Sequence, residues 1–242
     1  MAYQAVFERY EMKYIMTKRQ RKAVLEAMLP FMRQDDFGHT TIRNVYFDTD
    51  QYRLARHSGE KPIYKEKFRI RSYKQVGPQD SVFIELKKKY CDVVYKRRES
   101  LTQLETLEWI VQETPFPKAT QIGNEIDYFF EFYQTLKPKI FLSYERDAFC
   151  ATDGSDFRVT FDENILARQE ELSLSKDIWG ENLLPEEYIL MELKTPDSIP
   201  LWMAKVLTQQ KIYKTSFSKY GTAYKNIVCR KQNEEAGRIF IA

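Results

Sequence analysis

The chain has 242 residues, 43% of them hydrophobic and 30% charged, with a formal net charge of +3. That length suits one large domain or two small ones, and so balanced a charge argues against a nonspecific nucleic-acid binder, so any basic site must arise by local segregation. Only two histidines are present, the three cysteines form no CxxC pair, and no apolar run approaches the roughly 20 residues that span a bilayer, which excludes a histidine-rich metal site and a membrane helix and leaves free thiols.

Phe7 to Met16 reads as a strand, with Arg9, Glu11 and Lys13 opposite Tyr10, Met12 and Tyr14. Thr17 then fits the N-cap of a helix from Lys18 to Arg33, whose core face carries Val24, Leu25, Met28, Leu29 and Met32, with Pro30 shortening or kinking it. Ile42 to Asp48 is a second strand, and a polar stretch with Gly59 and Pro62 leads to a third at Ile63 to Tyr73. Gly77-Pro78 marks a turn, and strands follow at Ser81 to Tyr90 and Asp92 to Glu99. Thr102 and Glu105 make a capping box for a helix carrying Leu104, Leu107, Ile110 and Val111. A second helix is expected from Asn124 to Leu136. A hairpin of Lys139 to Phe149 and Phe157 to Asp162 turns at Asp153-Gly154. Arg168 to Glu187 reads as mixed and partly loop, and Tyr188 to Thr195 as a further strand. Ser198 caps a short helix through Trp202 and Val206, and Ser218 a final helix running toward Cys229. No linker or internal repeat divides the chain, so residues 1–242 are expected to form a single domain.

Several strands share one property. In Lys67 to Tyr73, Phe68, Ile70 and Ser72 take one side while Lys67, Arg69 and Arg71 take the other; next, Val82, Ile84 and Leu86 oppose Glu85, Lys87 and Lys89. Any one such strand reads as a sheet with a wet outer face. The repetition favours a surface that holds an anion: Arg9, Glu11, Lys13, Arg69, Arg71, Glu85, Lys87, Lys96, Arg98, Arg146, Arg158, Glu192 and Lys194 are the inward candidates. Arginine's planar fork suits phosphate oxygens, and the interleaved carboxylates suit Mg²⁺ or Mn²⁺. Ser218-Lys219 adds a cation at a helix start, where a bound phosphate would profit from both the ammonium and the helix dipole. There is no GxGxxG or GxxxxGK[ST], so side chains must grip any nucleotide. Asp147 and Arg97 are expected on the opposite faces of their strands. Tyr64, Tyr73, Tyr90 and Tyr95 are open candidates for stacking on a base. Trp109, Trp179 and Trp202 are expected to pack.

Taken in order, ERYEMKY, KFRIRSY, FIELKKK, VYKRR, SYERDAF, FRVTFD, LMELKT and SFSKYGTAY resemble the VTC domain, a polyphosphate polymerase domain of the triphosphate tunnel metalloenzyme (CYTH-like) superfamily. The resemblance implies an α+β fold: an antiparallel β-barrel tunnel of about eight strands with peripheral helices. It implies phosphate ligands at Lys13, Arg69, Arg71, Lys87, Lys96, Arg98, Arg146, Arg158, Ser218 and Lys219, with Mn²⁺ or Mg²⁺ held by Glu192. Of these, Lys13, Arg69, Arg71, Lys87, Arg146, Arg158 and Lys219 would act directly in catalysis. The ExExK signature of the superfamily is altered: Arg9 stands at the first Glu, leaving Glu11 and Lys13. The implied substrates are ATP, triphosphate and polyphosphate. The alternatives are a triphosphatase that uses water as acceptor and a non-enzymatic polyphosphate-binding sensor or scaffold. The N-terminal residues are charged too early for a signal peptide, so a cytoplasmic protein is expected.

Overall fold

Alternating residues build one curved antiparallel sheet. The computed structural model describes residues 10–60, 62–91 and 93–233. In chain order the elements are β1 (Tyr10–Thr17), α1 (Lys18–Met28), β2 (Met32–Asp48), α2 (Arg53–Gly59), β3 (Tyr64–Ser72), β4 (Ser81–Tyr90), β5 (Val93–Thr102), α3 (Gln103–Gln112), α4 (Gln121–Tyr133), β6 (Lys137–Ala151), β7 (Arg158–Arg168), β8 (Glu181–Asn182), β9 (Tyr188–Thr195), α5 (Leu201–Gln209), β10 (Lys214–Thr215) and α6 (Lys219–Ala223), which continues as a π-helix over Tyr224–Cys229. The sheet has ten strands in the order β10-β1-β9-β7-β6-β2-β3-β4-β5, with β8 beside β7. Among the described residues β5 pairs only with β4, so the sheet is an open path and not a hydrogen-bonded ring of eight strands.

Its curl is nevertheless tight. β1 and β4 would stand roughly 29 Å apart in a flat sheet at about 4.8 Å per strand. Yet the Lys87 ammonium on β4 lies 3.0 Å from the Glu11 carboxylate on β1. The odd-numbered side chains of β3 and β4 therefore face those of β1 across the concave side of the sheet.

Helices cover the convex face. Phe68, Ile70, Val82, Ile84 and Leu86 pack with Trp109 of α3 and with Ile126 and Phe129 of α4. Met16, Val159, Phe161, Ile189, Met191 and Leu193 pack with Val24 and Met28 of α1 and with Met203 and Val206 of α5. The concave face has two zones. One is apolar, where Ile42, Tyr46, Leu142, Tyr144 and Leu190 receive Tyr220, Ile227 and Val228 of the C-terminal helix. The other is charged.

Several boundaries differ from the sequence expectation. α1 stops at Met28 because Pro30 cannot continue it, which leaves Leu29 as its exposed C-cap and not on the core face, and β2 starts at Met32, well before Ile42. Asp35 to Gly38 are exposed or half-buried and fall in the β2–β6 register break between Gln34 and His39, so they carry no alternation. α2 falls in the polar stretch between the second and third strands, for which the sequence predicted no element; the buried Asp48 carboxylate accepts the N–H groups of Thr49, Leu54 and Ala55 and holds its first turn. β7 runs on to Arg168 past an irregularity near Asn164, whose φ is +51°. α5 starts at Leu201 after Pro200, without a side-chain cap from Ser198. The capping boxes at Thr17 and Thr102 and the N-caps at Thr120 and Ser218 are formed. No helix among the described residues is long and apolar enough to cross a membrane.

Candidate functional site

One half of the charged zone is organised by Glu85. Its carboxylate is buried and is 2.7 Å from Arg69, 2.7 Å from Lys96, 2.6 Å from Arg98 and 3.9 Å from Arg71. Register explains the gathering: Glu85 lies directly opposite Arg69 on β3 and Arg98 on β5, and Lys87 lies opposite Lys96. Burial opposes ionisation of Glu85, but the surrounding cations hold its pKa well below the usual carboxylate range. Arg69 also donates to the Tyr46 hydroxyl at 2.8 Å. Arg71 donates to Asn44 Oδ1 at 2.9 Å and to the Tyr144 hydroxyl at 3.0 Å, so two uncharged partners fix its fork. For Lys96, desolvation and the nearby guanidinium groups outweigh Glu85 and bring its pKa down to about 7.

The other half comes from β1, β6, β7, β9 and the start of α6. Arg146 donates two bonds to Asp162, at 2.6 and 2.7 Å. Lys219 lies 2.5 Å from Asp162 and 3.5 Å from Glu192. Lys13 is 3.3 Å from Glu192 and donates to the Phe217 carbonyl at 2.7 Å. Arg146 and Lys194 approach Glu192 at 3.8 and 3.9 Å. Burial disfavours the Glu192 charge, but Lys219, Lys13, Lys194 and Arg146 keep its pKa well below the ordinary value. The same contest holds Glu11 at about 2: burial raises it, while Lys87 and Lys194 lower it by more. Lys67 has its pKa pushed well down by burial and by Lys13 and Lys87; it donates to the Ser218 hydroxyl at 2.9 Å, tying β3 to the α6 cap. Across both halves, cations outnumber the carboxylates Glu11, Glu85, Asp162 and Glu192.

The donor set near Glu192 fits a hard divalent cation that arrives with a phosphate. Glu192 supplies carboxylate oxygen, and Thr160, directly opposite it on β7, has a buried hydroxyl with no hydrogen-bond partner. Among the described residues no group of three or more Asp, Glu, His or Cys converges, so remaining ligands would have to be phosphate oxygens.

The VTC domain profile matches residues 8–228. The chain belongs to the VTC domain family. Its fold is that of triphosphate-tunnel proteins. A candidate adenylyl cyclase from Hippeastrum, described as having a dominant triphosphatase activity, superposes with a TM-score of 0.56 at 13% identity, covering 90% of this chain and 95% of its own. A candidate adenylate cyclase from Bacillus halodurans gives 0.54 at 14% identity, covering 89% and 96%. No curated protein matches the chain.

In this VTC domain, Lys13, Arg69, Arg71, Lys87, Lys96, Arg98, Arg146, Ser218, Lys219 and Glu192 converge on the concave face. Arg158 shares their parity but sits at the rim, opposite Lys194; its side chain is 54% exposed and lies 3.6 Å from Asp156. Arg9 lies outside the described residues. Asp147 and Arg97 face outward, to Arg21 and Glu125. Trp109 is buried in the convex core, and Trp202 stacks on Phe31 at 4.9 Å. Trp179 is instead 41% exposed, with Arg168 over its ring. The ligand set carried over from the motifs lacked Lys67, Lys194, Asp162, Asn44, Tyr46 and Tyr144. Strand parity puts Lys67 on the side of Arg69 and Arg71 and makes Lys194 an inward candidate, and it also puts Asp162 on the side of Arg158; the others are uncharged or aromatic and carried no signal. Lys219 meets the prediction of a cation at the helix start, but it is aimed across the space at Asp162 and Glu192.

Proposed function

We propose that this domain is a polyphosphate polymerase, transferring the γ-phosphoryl group of ATP to the end of a polyphosphate chain and releasing ADP. The observation that carries this reading is the excess of converging cations over carboxylates on the concave face of a VTC domain. Two polyanions must meet there, and a surplus of fixed positive charge offsets their repulsion. A terminal oxygen of the acceptor chain forms the new bond to the γ-phosphorus. The bond from that phosphorus to the β–γ bridging oxygen breaks, and its electron pair leaves with ADP. The attacking oxygen is already deprotonated, so no nucleophilic side chain is required. Arg69, Arg71, Lys96 and Arg98 would hold one polyanion, and Arg146, Lys13 and Lys219 the other, with Arg158 guiding chains at the rim. Glu192 would hold Mn²⁺ or Mg²⁺; when bound, such an ion neutralises charge on bridging phosphate oxygens. One sheet drawing on strands from Tyr10 to Thr215 supports treating residues 1–242 as a single domain. The expected setting is the cytoplasm, where ATP is abundant.

The test is incubation of the purified protein with ATP and Mn²⁺, with products resolved by gel electrophoresis. Long-chain polyphosphate formed together with ADP is expected. Orthophosphate alone would instead mark a triphosphatase, as described for the Hippeastrum protein. Tight triphosphate binding with no turnover would mark a sensor or scaffold. Glu192→Gln should lose at least about 100-fold in turnover while binding tripolyphosphate within a few-fold of the parent. Full activity in that variant would overturn the metal assignment.

A further inference from the structure

Part of the sheet's convex face is covered not by a helix but by the segment that joins β7 to β9. Two buried arginines pin that segment by its backbone. Arg168 donates to the carbonyls of Glu170, Glu171 and Trp179 at 2.9 Å each, and Arg43 donates to those of Leu174 and Lys176. Beside the segment lies a cavity of about 300 Å³. Ser143 and Glu145 of β6 line it with Asn164 and Leu166 of β7, and the segment contributes Ile178 and Glu186. Along β6, Ser143 and Glu145 alternate with Tyr144 and Arg146, which face the charged site. The cavity and the phosphate grip therefore lie on opposite faces of one strand.

Three features point to a ligand and to its chemistry. Ser143 is only 1% exposed, yet its hydroxyl has no hydrogen-bond partner, and a buried hydroxyl left unpaired is costly. The charged residues lining the cavity are the carboxylates Glu145 and Glu186, and no lysine, arginine or histidine lines it. Arg43 stands opposite Ser143 in the ladder, but its guanidinium is engaged by the carbonyls of the segment. Glu145 accepts the Asn164 side-chain amide at 2.8 Å, which leaves the Asn164 carbonyl oxygen as a further acceptor. Finally, Leu166 and Ile178 give the cavity an apolar wall. Its size reaches the low end of organic-ligand pockets, about 300–1,000 Å³, and is far more than a lone metal ion needs. Among the described residues no third carboxylate, histidine or cysteine joins the pair to make a metal site.

We propose that this cavity binds a small linear organic dication, an alkyl chain carrying two ammonium groups. Glu145 and Glu186 pair with the ammonium groups, the Ser143 hydroxyl and the Asn164 carbonyl accept further N–H bonds, and the methylene run lies against Leu166 and Ile178. The site stands apart from the phosphate grip, and the inference does not depend on how that grip is read.

The experiment is isothermal titration calorimetry of putrescine at low ionic strength into the parent, Glu145→Gln, Glu186→Gln and Glu131→Gln, the last removing an exposed carboxylate on α4. Butylamine, with one ammonium, and Mn²⁺ alone are titrated for comparison. Putrescine should bind the parent at one site. It should bind about tenfold more weakly to Glu145→Gln, whose carboxylate is half-buried, and about threefold more weakly to Glu186→Gln, whose carboxylate is exposed. Glu131→Gln should match the parent, and butylamine should bind the parent about tenfold more weakly than putrescine. Glu186→Gln is the decisive case, because so exposed a side chain contributes little to folding. No saturable binding to the parent, or equal affinity in all four proteins, would overturn the assignment. So would butylamine binding as tightly as putrescine. Mn²⁺ binding that disappears in Glu145→Gln, with no putrescine binding to the parent, would make the cavity a metal site and overturn it as well.

Discussion

Lys96 is where the charge balance of the wall comes nearest to tipping. Its ammonium is 2.7 Å from Glu85, yet Arg69, Arg71 and Arg98 claim the same carboxylate. Two like charges about 4 Å apart cost about 4 kcal/mol at an effective dielectric near 20, or about a thousandfold in protonation. One carboxylate cannot offset three such neighbours and desolvation together, and the pKa of Lys96 falls to about 7. Arginine would keep its charge under the same pressure. The sign for binding follows. An anion binds best to protonated Lys96, so affinity should fall as pH rises through 7, while Lys96→Arg should hold its affinity to pH 9. Phosphate protonation is common to both proteins, so the difference between their affinity–pH curves isolates the lysine. Tripolyphosphate affinities at pH 6, 7, 8 and 9 would test this; parallel curves would show that Lys96 stays charged throughout.

At the scale of elements, the C-terminal helix closes the apolar half of the concave face. Its anchor is Tyr220, which stacks on Tyr46 with centroids 4.6 Å apart and donates to the buried Asp48 carboxylate at 2.7 Å. Burial raises the Asp48 pKa, while the amides of Leu54, Ala55 and Thr49 and the Tyr220 hydroxyl oppose that rise. Asp48 thereby couples β2, α2 and α6, and α6 carries Lys219 into the site. Removing the hydroxyl in Tyr220→Phe should cost about 2 kcal/mol, as expected for a hydrogen bond to a charged group. In a chain of this size that is a fall in Tm of roughly 5 °C, readable by calorimetry, and an unchanged Tm would mean the helix is seated by packing alone. This joint also shows what the sequence could reveal. The faces of Lys67 to Tyr73 and Ser81 to Tyr90 were legible because strand parity is fixed by covalent geometry. So were the caps at Thr17, Thr102 and Ser218, because their chemistry is local. α2 was hidden because its organiser, Asp48, ends the preceding strand, and the sequence does not reveal that this carboxylate is buried. Glu85 was legible as inward-facing, but its role as hub was not: which cations reach it depends on registers between β3, β4 and β5 that no single strand encodes.

For the whole molecule, the decisive quantity is segregation of charge. In a chain of net charge +3, the concave face gathers more lysines and arginines than carboxylates. The ligand-free fold therefore carries self-repulsion that a polyanion relieves, and any ligand that binds only the folded state stabilises it by mass action. Tripolyphosphate at 100 times its dissociation constant should add about 2.7 kcal/mol, raising Tm by roughly 8 °C. The increment should shrink as NaCl rises, because the contacts are ionic. Glu85→Gln sharpens the argument. The substitution withdraws a buried charge from several cations at once, and such a loss should cost about 3 kcal/mol. If Glu85 acts as a built-in counter-ion standing where substrate phosphate otherwise would, tripolyphosphate should restore much of that loss. The Tm gap between variant and parent would then narrow on adding ligand, although both proteins grow more stable. A gap that stays constant from zero to saturating tripolyphosphate would mean that Glu85 holds the cations in place without competing for them, and that the bound anion sits elsewhere on the wall.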